Sequence, residues 1–364
     1  MPLVPGREAI PLTGVNQFEP LPNVMNILVT GGAGFIGSWL TRHLVTQYPH
    51  AYNVICLDKL DAVASINNIK CLFSAPNFRF VQGNINDLQR VQSVLETYRI
   101  DCVIHFAASS HVQNSFVEPF TFTHDNVVGT HHVLEAARRY GKITRFLHVS
   151  TDEVYGETNN RKVTEISNFA PTNPYSASKA AAEMYVMAYR QSFGLPAVIV
   201  RSNNVYGPCQ YPEKIIPVFT KLLMRGEKLT IQGDGTNTRC YLHGSDAADA
   251  FDTILHRGKV GEIYNIESDY EISNREVAAR ILTLFGHDPV HDFDSHVKWI
   301  ADRPFNDGSY NVDGSKLKQL GWRQRIDFSS GLAQTVQWYK QNVDSWWKSP
   351  DSEPAIFPAI NSRL

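Results

Sequence analysis

The chain has 364 residues, 19% of them are charged, and the formal net charge at pH 7 is −2. This length can bury one large core or two fused subdomains. The sequence contains neither a basic block nor a run of about 18 apolar residues, so we expect no nucleic-acid partner and no membrane-spanning segment.

The cysteines and the two ends of the chain bear on compartment and domain limits. Five cysteines are scattered without a Cys-x-x-Cys pair, a pattern that favours a reducing compartment, here the cytoplasm, and no metal site. Residues 1–25 contain five prolines and no apolar signal core, which predicts a flexible leader. We expect a first domain over 26–207 with return segments near 240–266, a smaller lobe over 208–345 and a tail over 346–364.

From residue 26 onward, short β-branched runs alternate with helical stretches. Strands are predicted over residues 26–30, 54–58, 78–82, 102–106, 145–150 and 197–201. Helices are predicted over residues 38–44, 87–98 and 126–140, and a further one contains Tyr175. This alternation predicts an α/β fold, a Rossmann-like doubly wound parallel sheet.

Beyond residue 208 the pattern is less regular, because prolines and glycines interrupt it. We predict a smaller, partly interleaved C-terminal substrate lobe there, with helices over 276–285, 315–320 and 329–340. The strand-like run 261–266 is expected to return to the main sheet.

A glycine-rich turn links the first predicted strand to the first helix. Gly31, Gly34 and Gly37 are spaced for a tight turn, for close approach of backbone N–H groups to a pyrophosphate, and for tight helix–strand packing. Asp58 ends the second strand, where a carboxylate suits ribose hydroxyls and repels a 2′-phosphate. The motif therefore predicts NAD rather than NADP, although Lys59 beside Asp58 weakens that preference. The other residues expected at the cofactor are Phe35, Ile36, Asn84, Ile85, Ala107, Ala108, Tyr175 and Lys179.

Two adjacent carboxylates, Asp152 and Glu153, follow Thr151 at the end of a predicted strand. Neighbouring residues at a strand end point to opposite sides, so the two can reach different atoms of one ligand. Tyr175 and Lys179 are spaced to share one helix face, where an ammonium favours the phenolate of its neighbour. Each pattern alone is more often a solvated turn or a chance spacing. Together they indicate an oxidation coupled to an elimination, since plain hydride transfer needs fewer acids and bases.

The glycine turn and the Tyr-x-x-x-Lys pair together resemble the extended short-chain dehydrogenase/reductase family. Within it, Thr151-Asp152-Glu153 resembles the nucleotide-sugar 4,6-dehydratases that act on dTDP-glucose or UDP-glucose. The block around Asn306 is most similar to the dehydratase half of plant UDP-rhamnose synthases. The likeness covers nearly all of residues 26–345 and includes the stretches 110–112, 171–175, 203–208, 211–217, 233–239 and 303–307.

The resemblance implies a role for each residue of the catalytic set. Tyr175, assisted by Lys179, takes the proton from the sugar O4, to which Thr151 hydrogen-bonds. Glu153 removes the hydrogen at C5, and a protonated Asp152 gives its proton to the leaving hydroxyl at C6. Tightly bound NAD takes a hydride from C4 and returns it to C6, so that the cofactor is recycled. The residues implied at the nucleotide sugar are Ser110, His111, Asn204, Glu213, Lys214, Arg239, Asn265, Arg303, Asn306 and Tyr310.

Four positions depart from the family pattern near these sites. Asn84 stands where the family usually has Asp, and Ala62 where it usually has an aromatic residue. Ser109 replaces a usual Glu or Gln, and Gln113 a usual Asp. None belongs to the proposed chemistry, so they bear on affinity more than on reaction type.

The expected reaction is conversion of UDP-glucose to UDP-4-keto-6-deoxyglucose, towards deoxysugar synthesis of the rhamnose type. Three alternatives stay open: a dTDP-glucose 4,6-dehydratase, a UDP-sugar 4-epimerase or decarboxylase, and a non-catalytic NAD-binding protein. Asp152 favours dehydration, because similar decarboxylases carry a small hydroxyl residue there and 4-epimerases lack the acidic pair. The resemblance also implies a homodimer through a four-helix interface, with two helices per subunit near 126–140 and 179–192.

Overall fold

The structure is a computed structural model that describes residues 12–158, 161–302 and 308–347. Its strands are β1 (Asn26–Thr30), β2 (Asn53–Asp58), β3 (Phe78–Gln82), β4 (Cys102–His105), β5 (Arg145–Thr151), β6 (Ala197–Ser202), β7 (Asn204–Tyr206), β8 (Leu229–Gln232), β9 (Thr238–His243), β10 (Ile263–Ile266), β11 (Glu271–Ser273) and β12 (Val297–Ile300).

The α-helices are α1 (Phe35–Gln47), α2 (Leu88–Thr97), α3 (Val112–Val117), α4 (Pro119–Phe122), α5 (Gly129–Tyr140), α6 (Pro174–Phe193), α7 (Ile215–Met224), α8 (Gly244–Arg257), α9 (Asn274–Leu284), α10 (Phe293–His296), α11 (Ser315–Gln319) and α12 (Phe328–Trp346). A π-helical turn, Thr123–Val128, directly precedes α5. The helix predicted over 126–140 therefore begins with a wider turn.

A parallel sheet forms the centre of the molecule, with strands in the order β10-β6-β5-β4-β1-β2-β3. Its inner strands are mostly apolar, and β4 and β6 are buried throughout, as expected for a sheet covered by helices on both faces. The chain reverses direction across the sheet between β1 and β4, and the carboxyl ends of the strands meet there at one edge. This confirms the predicted doubly wound fold, and β10 returns to the sheet beside β6 as predicted.

The C-terminal lobe has its own apolar core and short strands. In the described residues it contributes a three-stranded sheet, β11-β9-β7, and a two-stranded pair, β12-β8. Its core is built by side chains of α7, α9 and α12, among them Phe219, Val277 and Phe328. Helix α8 belongs to the other half of the molecule, because it packs against α1.

The segment predicted as a flexible leader differs from that expectation over its described part, residues 12–25. The backbone N–H groups of Val15 and Asn16 donate to one oxygen of Asp249, at 2.7 and 2.8 Å. Further along, the N–H of Phe18 donates to the Tyr48 hydroxyl at 2.9 Å. Asp249 is buried in α8, and a buried carboxylate must find donors, so the segment is held by the groups that it satisfies. Its prolines do not prevent these bonds.

The end of α12 joins the lobe to the loop that follows β2. The indole N–H of Trp346 donates to Asn68 at 2.6 Å, and the carbonyl of Trp346 accepts from Ser65 at 2.7 Å. The same indole stands edge-on to Trp338, with ring centroids 4.9 Å apart. These contacts link the two halves of the molecule.

No helix within the described parts of the chain is long and apolar enough to cross a membrane. The same residues contain no group of three or more His, Cys, Asp or Glu side chains arranged to hold a metal ion.

Candidate active site

A cavity of about 390 Å³ opens at the carboxyl edge of the main sheet and extends under the C-terminal lobe. It is lined by the five residues predicted to be catalytic, Thr151, Asp152, Glu153, Tyr175 and Lys179. It is also lined by the predicted cofactor residues Gly31, Gly34, Phe35, Ile36, Gly37, Asp58, Lys59, Asn84, Ile85, Ala107 and Ala108. The residues predicted on separate strands and helices therefore meet around one space.

The glycine turn leaves no room for side chains where the chain passes its neighbours. Gly31 has φ +69°, and a Cβ there would lie 2.7 Å from the backbone nitrogen of Ala107. A Cβ on Gly37 would overlap the carbonyl oxygen of Gly31. Gly34 caps α1 without a side-chain hydrogen bond, so the amide end of this helix faces the cavity with its positive dipole.

The carboxylate of Asp58 is fixed at the end of β2 beside this turn. One of its oxygens accepts from the N–H of Ala33 at 3.0 Å and the other from the N–H of Leu60 at 2.8 Å. Burial raises the pKa of Asp58, and these amide hydrogen bonds oppose the rise. The carboxylate lines the cavity and can accept a further bond from a hydroxyl donor.

Lys59 does not present an uncompensated positive charge to this site. Its ammonium lies 2.9 Å from Asp125 and 3.3 Å from Asp61. Asp125 is further held by the hydroxyl of Ser109 at 2.9 Å. Two carboxylates thus neutralise the positive charge of Lys59. Lys59 therefore does not weaken the preference for a ribose without a 2′-phosphate.

The pKa of the Asp152 carboxyl is strongly perturbed. Its side chain is buried in the short helical turn that follows β5, and its Oδ2 accepts from Nδ2 of Asn203 at 2.6 Å. Its Oδ1 lies 3.2 Å from the hydroxyl of Thr151. Burial and the adjacent Glu153 raise the pKa of Asp152 to about 7, although the bond from Asn203 lowers it. A carboxyl with this pKa can hold a proton near neutral pH, as an acid catalyst must.

Tyr175 and Lys179 lie on the first two turns of α6, below the carboxylate pair. Asn173 caps this helix with a reciprocal bond to Ser176, which fixes where α6 begins. Lys179 donates to the carbonyl oxygen of Val149 on β5 at 2.7 Å, and burial lowers its pKa to about 8. Burial and Glu153 raise the pKa of Tyr175 above its ordinary value. Within the protein alone, Tyr175 is therefore a phenol.

The wall on the lobe side carries the predicted nucleotide-sugar residues. Ser110, His111, Asn204, Glu213, Lys214, Arg239 and Tyr310 all line the cavity. The guanidinium of Arg239 lies over the ring of Tyr310, 5.0 Å from its centroid. Lys214 reaches across to the carbonyl oxygen of Ser110 at 3.0 Å, and burial raises the pKa of Glu213.

One predicted substrate residue lies elsewhere, and two are outside the described residues. Asn265 is fully buried on β10, where its side-chain oxygen accepts from the hydroxyl of Tyr155 at 2.8 Å. Its amide donates to the carbonyl oxygen of Asp313 at 3.2 Å. The prediction for Asn265 was wrong, because the residue points into the packing between the sheet and the lobe. Arg303 and Asn306 lie outside the described residues.

Three asparagines at the cavity were not singled out from the sequence. Asn203 bonds Asp152 as described, Asn173 donates to Glu153 at 3.4 Å, and Asn274 lines the lobe wall at the start of α9. A signal existed for Asn203, since it stands beside the selected Asn204. Asn274 follows a short lobe strand that the sequence pattern did not reveal.

Comparison with known proteins gives a consistent family assignment. The family described as GDP-mannose 4,6 dehydratase matches residues 28–335. A trifunctional UDP-glucose 4,6-dehydratase/UDP-4-keto-6-deoxy-D-glucose 3,5-epimerase/UDP-4-keto-L-rhamnose-reductase of Arabidopsis thaliana is 49% identical over 336 residues, which cover 92% of this chain. The chain spans about half, 49%, of the length of that relative. A dTDP-D-glucose 4,6-dehydratase of Dictyostelium discoideum is 43% identical, over 89% of this chain and 83% of its own.

A solved structure agrees with this assignment. The dTDP-glucose 4,6-dehydratase of Streptomyces venezuelae, determined with NAD bound, superposes with a TM-score of 0.84 at 40% identity, covering 89% of this chain and 99% of its own. The resemblance predicted from the glycine turn and the Thr-Asp-Glu, Tyr and Lys residues is thus confirmed. The chain belongs to the GDP-mannose 4,6 dehydratase family.

Proposed function

We propose that this protein is an NAD-dependent nucleotide-sugar 4,6-dehydratase that converts UDP-glucose to UDP-4-keto-6-deoxyglucose, towards deoxysugar synthesis of the rhamnose type. The observation that carries the proposal is the pairing of Asp152 with Glu153 at the cavity, opposite Tyr175 and Lys179. Dehydration needs one carboxyl that holds a proton and a second group that accepts one. Burial of Asp152 with a pKa of about 7 supplies the first.

The residues at the sheet edge fit a dinucleotide. The close packing of Gly31 and Gly37 allows a pyrophosphate to approach the amide end of α1, and Asp58 suits the hydroxyls of the adenosine ribose. Neutralisation of Lys59 by Asp61 and Asp125 favours NAD over NADP. When bound, NAD supplies the hydride acceptor for C4, the hydride donor for C6, and a positive charge beside Tyr175.

Side chains of the protein transfer three protons. Tyr175, helped by the ammonium of Lys179, accepts the proton of O4 while Thr151 holds that oxygen in place. The resulting ketone acidifies C5, and Glu153 takes its proton. Asp152 gives its proton to O6, so that water leaves as the double bond forms between C5 and C6. Glu153 then returns its proton to C5, and the product differs from the substrate by one water.

Uridine is proposed over thymidine because the chain is 49% identical to the plant UDP-glucose-type relative and 43% identical to the Dictyostelium dTDP-glucose enzyme. A dTDP-glucose 4,6-dehydratase is therefore the second candidate. Arg239, stacked on Tyr310, is proposed to bind the diphosphate that both substrates share.

A product assay tests both the reaction and the nucleotide. The purified protein is incubated separately with UDP-glucose, dTDP-glucose and GDP-mannose, and products are identified by mass and by their 4-keto group. We expect loss of one water from UDP-glucose at the highest kcat/KM. Preference for dTDP-glucose would reassign the substrate, and a product isomeric with the substrate would indicate a 4-epimerase.

We further propose a homodimer whose interface is a four-helix arrangement of α5 and α6 from each subunit. Exposed apolar side chains on α6 support it, with Met184 57% and Phe193 56% exposed, and Phe120 beside this helix is 87% exposed. Large exposed apolar side chains are a feature of protein contact surfaces. Leu134 of α5 faces the other way, into the core of its own subunit. Light scattering should give a molar mass twice that of one chain. The Met184→Glu variant should give the mass of a single chain.

A reducing compartment, the cytoplasm, is proposed from the thiols. All five cysteines are free, and Cys56 and Cys102 are fully buried, where they act as small apolar residues. Immunolocalisation of the native protein tests this, and recovery in a secretory fraction would contradict it.

A further inference from the structure

Asn203 lies between a backbone donor and the carboxyl of Asp152. Its side-chain oxygen accepts from the N–H of Ser268 at 2.8 Å, and its Nδ2 lies 2.6 Å from Oδ2 of Asp152. Asn203 is 5% exposed and Asp152 is 3% exposed, so water does not compete for either bond. The two contacts together fix the position of the Asn203 side chain.

The amide of Asn203 has one possible orientation. A flipped side chain would set its NH2 group 2.8 Å from the N–H of Ser268, which brings two donors together. The NH2 group must therefore face Asp152, and Oδ2 of Asp152 must accept. An oxygen that accepts at this distance cannot also direct a proton toward the same NH2 group.

We propose that Asn203 is a positioning residue that keeps the acidic proton of Asp152 on Oδ1, the oxygen next to Thr151, and strengthens Asp152 as the acid of the elimination. This inference rests on the proposed dehydratase function. Oδ1 accepts from the hydroxyl of Thr151 at 3.2 Å, and Thr151 lines the cavity. Unlike the NH2 group of Asn203, this hydroxyl can turn and accept once Oδ1 carries the proton. The proton is thus held on the Thr151 side of the carboxyl before substrate arrives. After the proton leaves, the same NH2 group stabilises the carboxylate.

The charged and titratable groups that face Asp152 come from three elements. Glu153 follows it in the same turn, Tyr175 approaches from α6, and Arg239 and Cys240 approach from β9. Burial and Glu153 raise the pKa of Asp152, whereas Asn203, Thr151 and Arg239 lower it. Loss of the Asn203 donor should therefore raise this pKa further, by about one pH unit or more.

Two variants separate the role toward Asp152 from the role toward Ser268. Asn203→Ala removes both bonds. Asn203→Asp keeps an oxygen for the N–H of Ser268 but replaces the NH2 donor with an acceptor. Asn204→Ala is the matched control, since this neighbouring asparagine also lines the cavity.

The first measurement is an infrared titration without substrate, in which Asp152→Asn identifies the carboxylic C=O band of Asp152. With the proton on Oδ1, Oδ2 is the carbonyl oxygen and accepts from Asn203. Asn203→Ala should therefore move the band to higher frequency and its titration to higher pH, while Asn204→Ala leaves both unchanged. A band that stays in place in folded Asn203→Ala would overturn the proposal. If Asn203→Ala does not fold, the pH profile of Asn203→Asp decides.

The second measurement compares the natural 6-hydroxyl substrate with its 6-fluoro analogue, whose leaving group needs less help from an acid. Asn203→Ala and Asn203→Asp should lower kcat about ten- to hundredfold for the hydroxyl substrate and several-fold less for the fluoro analogue. The loss of kcat at high pH should move to higher pH in both variants. Equal losses with both substrates and an unmoved pH limb would overturn the proposal. Failure of every nucleotide sugar to react would overturn the dehydratase function, while the infrared titration would still report the proton position.

Discussion

The two walls of the cavity are built on different principles. The wall that holds Thr151, Asp152 and Lys179 stands at the carboxyl edge of a parallel sheet, whose strands are buried and pair along their full length. The opposite wall, with Arg239, stands on short strands that join distant parts of the chain, as β8 joins β12. Proton transfer tolerates little displacement, and its residues lie at the end of β5, in the turn that follows it and on α6, which packs against β5. The contacts that we propose for the nucleotide of the substrate come from the lobe.

The largest expected effect is on the sheet wall. Asp152→Asn removes the proton for the C6 hydroxyl but keeps the size of the side chain, so elimination should slow by about 10² to 10⁴-fold. Oxidation at C4 should persist, because Tyr175 and Lys179 are untouched. Rapid mixing should show reduced-nicotinamide absorbance without loss of water from the sugar. A change confined to KM would contradict the assignment of the chemistry to the sheet wall and of nucleotide binding to the lobe wall.

The second effect concerns the rigidity of the sheet. Arg201 and Glu183 form an ion pair at 2.7 Å, with side chains 2% and 0% exposed. Glu183→Ala would leave the guanidinium buried without its partner and should lower the free energy of unfolding by about 3–5 kcal/mol. Denaturant titration measures this.

A matched control is the pair between Lys162 and Glu267, also at 2.7 Å but with Lys162 46% exposed. Lys162→Ala should change the free energy of unfolding by at most about 1 kcal/mol, because solvent screens an exposed pair. Equal losses in the two variants would contradict the larger contribution expected from the buried pair.

The third effect is expected on the lobe wall. Arg239→Ala should raise KM for UDP-glucose by about ten- to hundredfold with a smaller change in kcat, because a charged hydrogen bond to the diphosphate is lost. Arg239→Lys should recover part of that loss, since it keeps the charge but not the planar fork. Steady-state kinetics with both variants measures the split. A fall in kcat alone would place Arg239 with the chemistry instead.

The smallest effect is the pH dependence of the unmodified protein. The pKa of Asp152 is raised from 3.8 to about 7, so the acid is protonated below that pH and lost above it. Elimination should fall by about tenfold per pH unit above the pKa. By linkage, the protonated group stabilises the fold fully below about pH 4, and this contribution disappears as the pH rises through about 7. Single-turnover rates across this range test the first statement, and a limb that persists in Asp152→Asn would contradict it.

The sequence predicted the sheet half of the molecule well, for a physical reason. Buried parallel strands are continuous apolar runs, and the residues after them meet at one edge, so Gly31, Asp58 and Asp152 could be placed without coordinates. The order of strands and helices along the chain was enough to predict this half of the molecule, because each strand has its helix beside it.

The three helices predicted in the lobe are present as α9, α11 and α12, but the short strands of the lobe and α8 could not be predicted in the same way. Asp246, Asp249 and Asp252 make α8 look solvated, yet all three are buried and bond to distant segments, such as the backbone of Ile326 and the hydroxyl of Tyr48. Asn265 was misplaced for a related reason. Its bonds to Tyr155 and Asp313 come from parts of the chain that no local pattern connects.

The indole of Trp346 gives the protein an intrinsic optical reporter. It bonds to Asn68 in the loop that follows β2 and stands against Trp338 of its own helix, α12, so its emission depends on the contact between α12 and that loop. Any movement of α12 relative to that loop would alter this contact and could be followed without an added dye. Tryptophan fluorescence during mixing, with Trp346→Phe as the silent reference, would then time lobe movement separately from the nicotinamide signal.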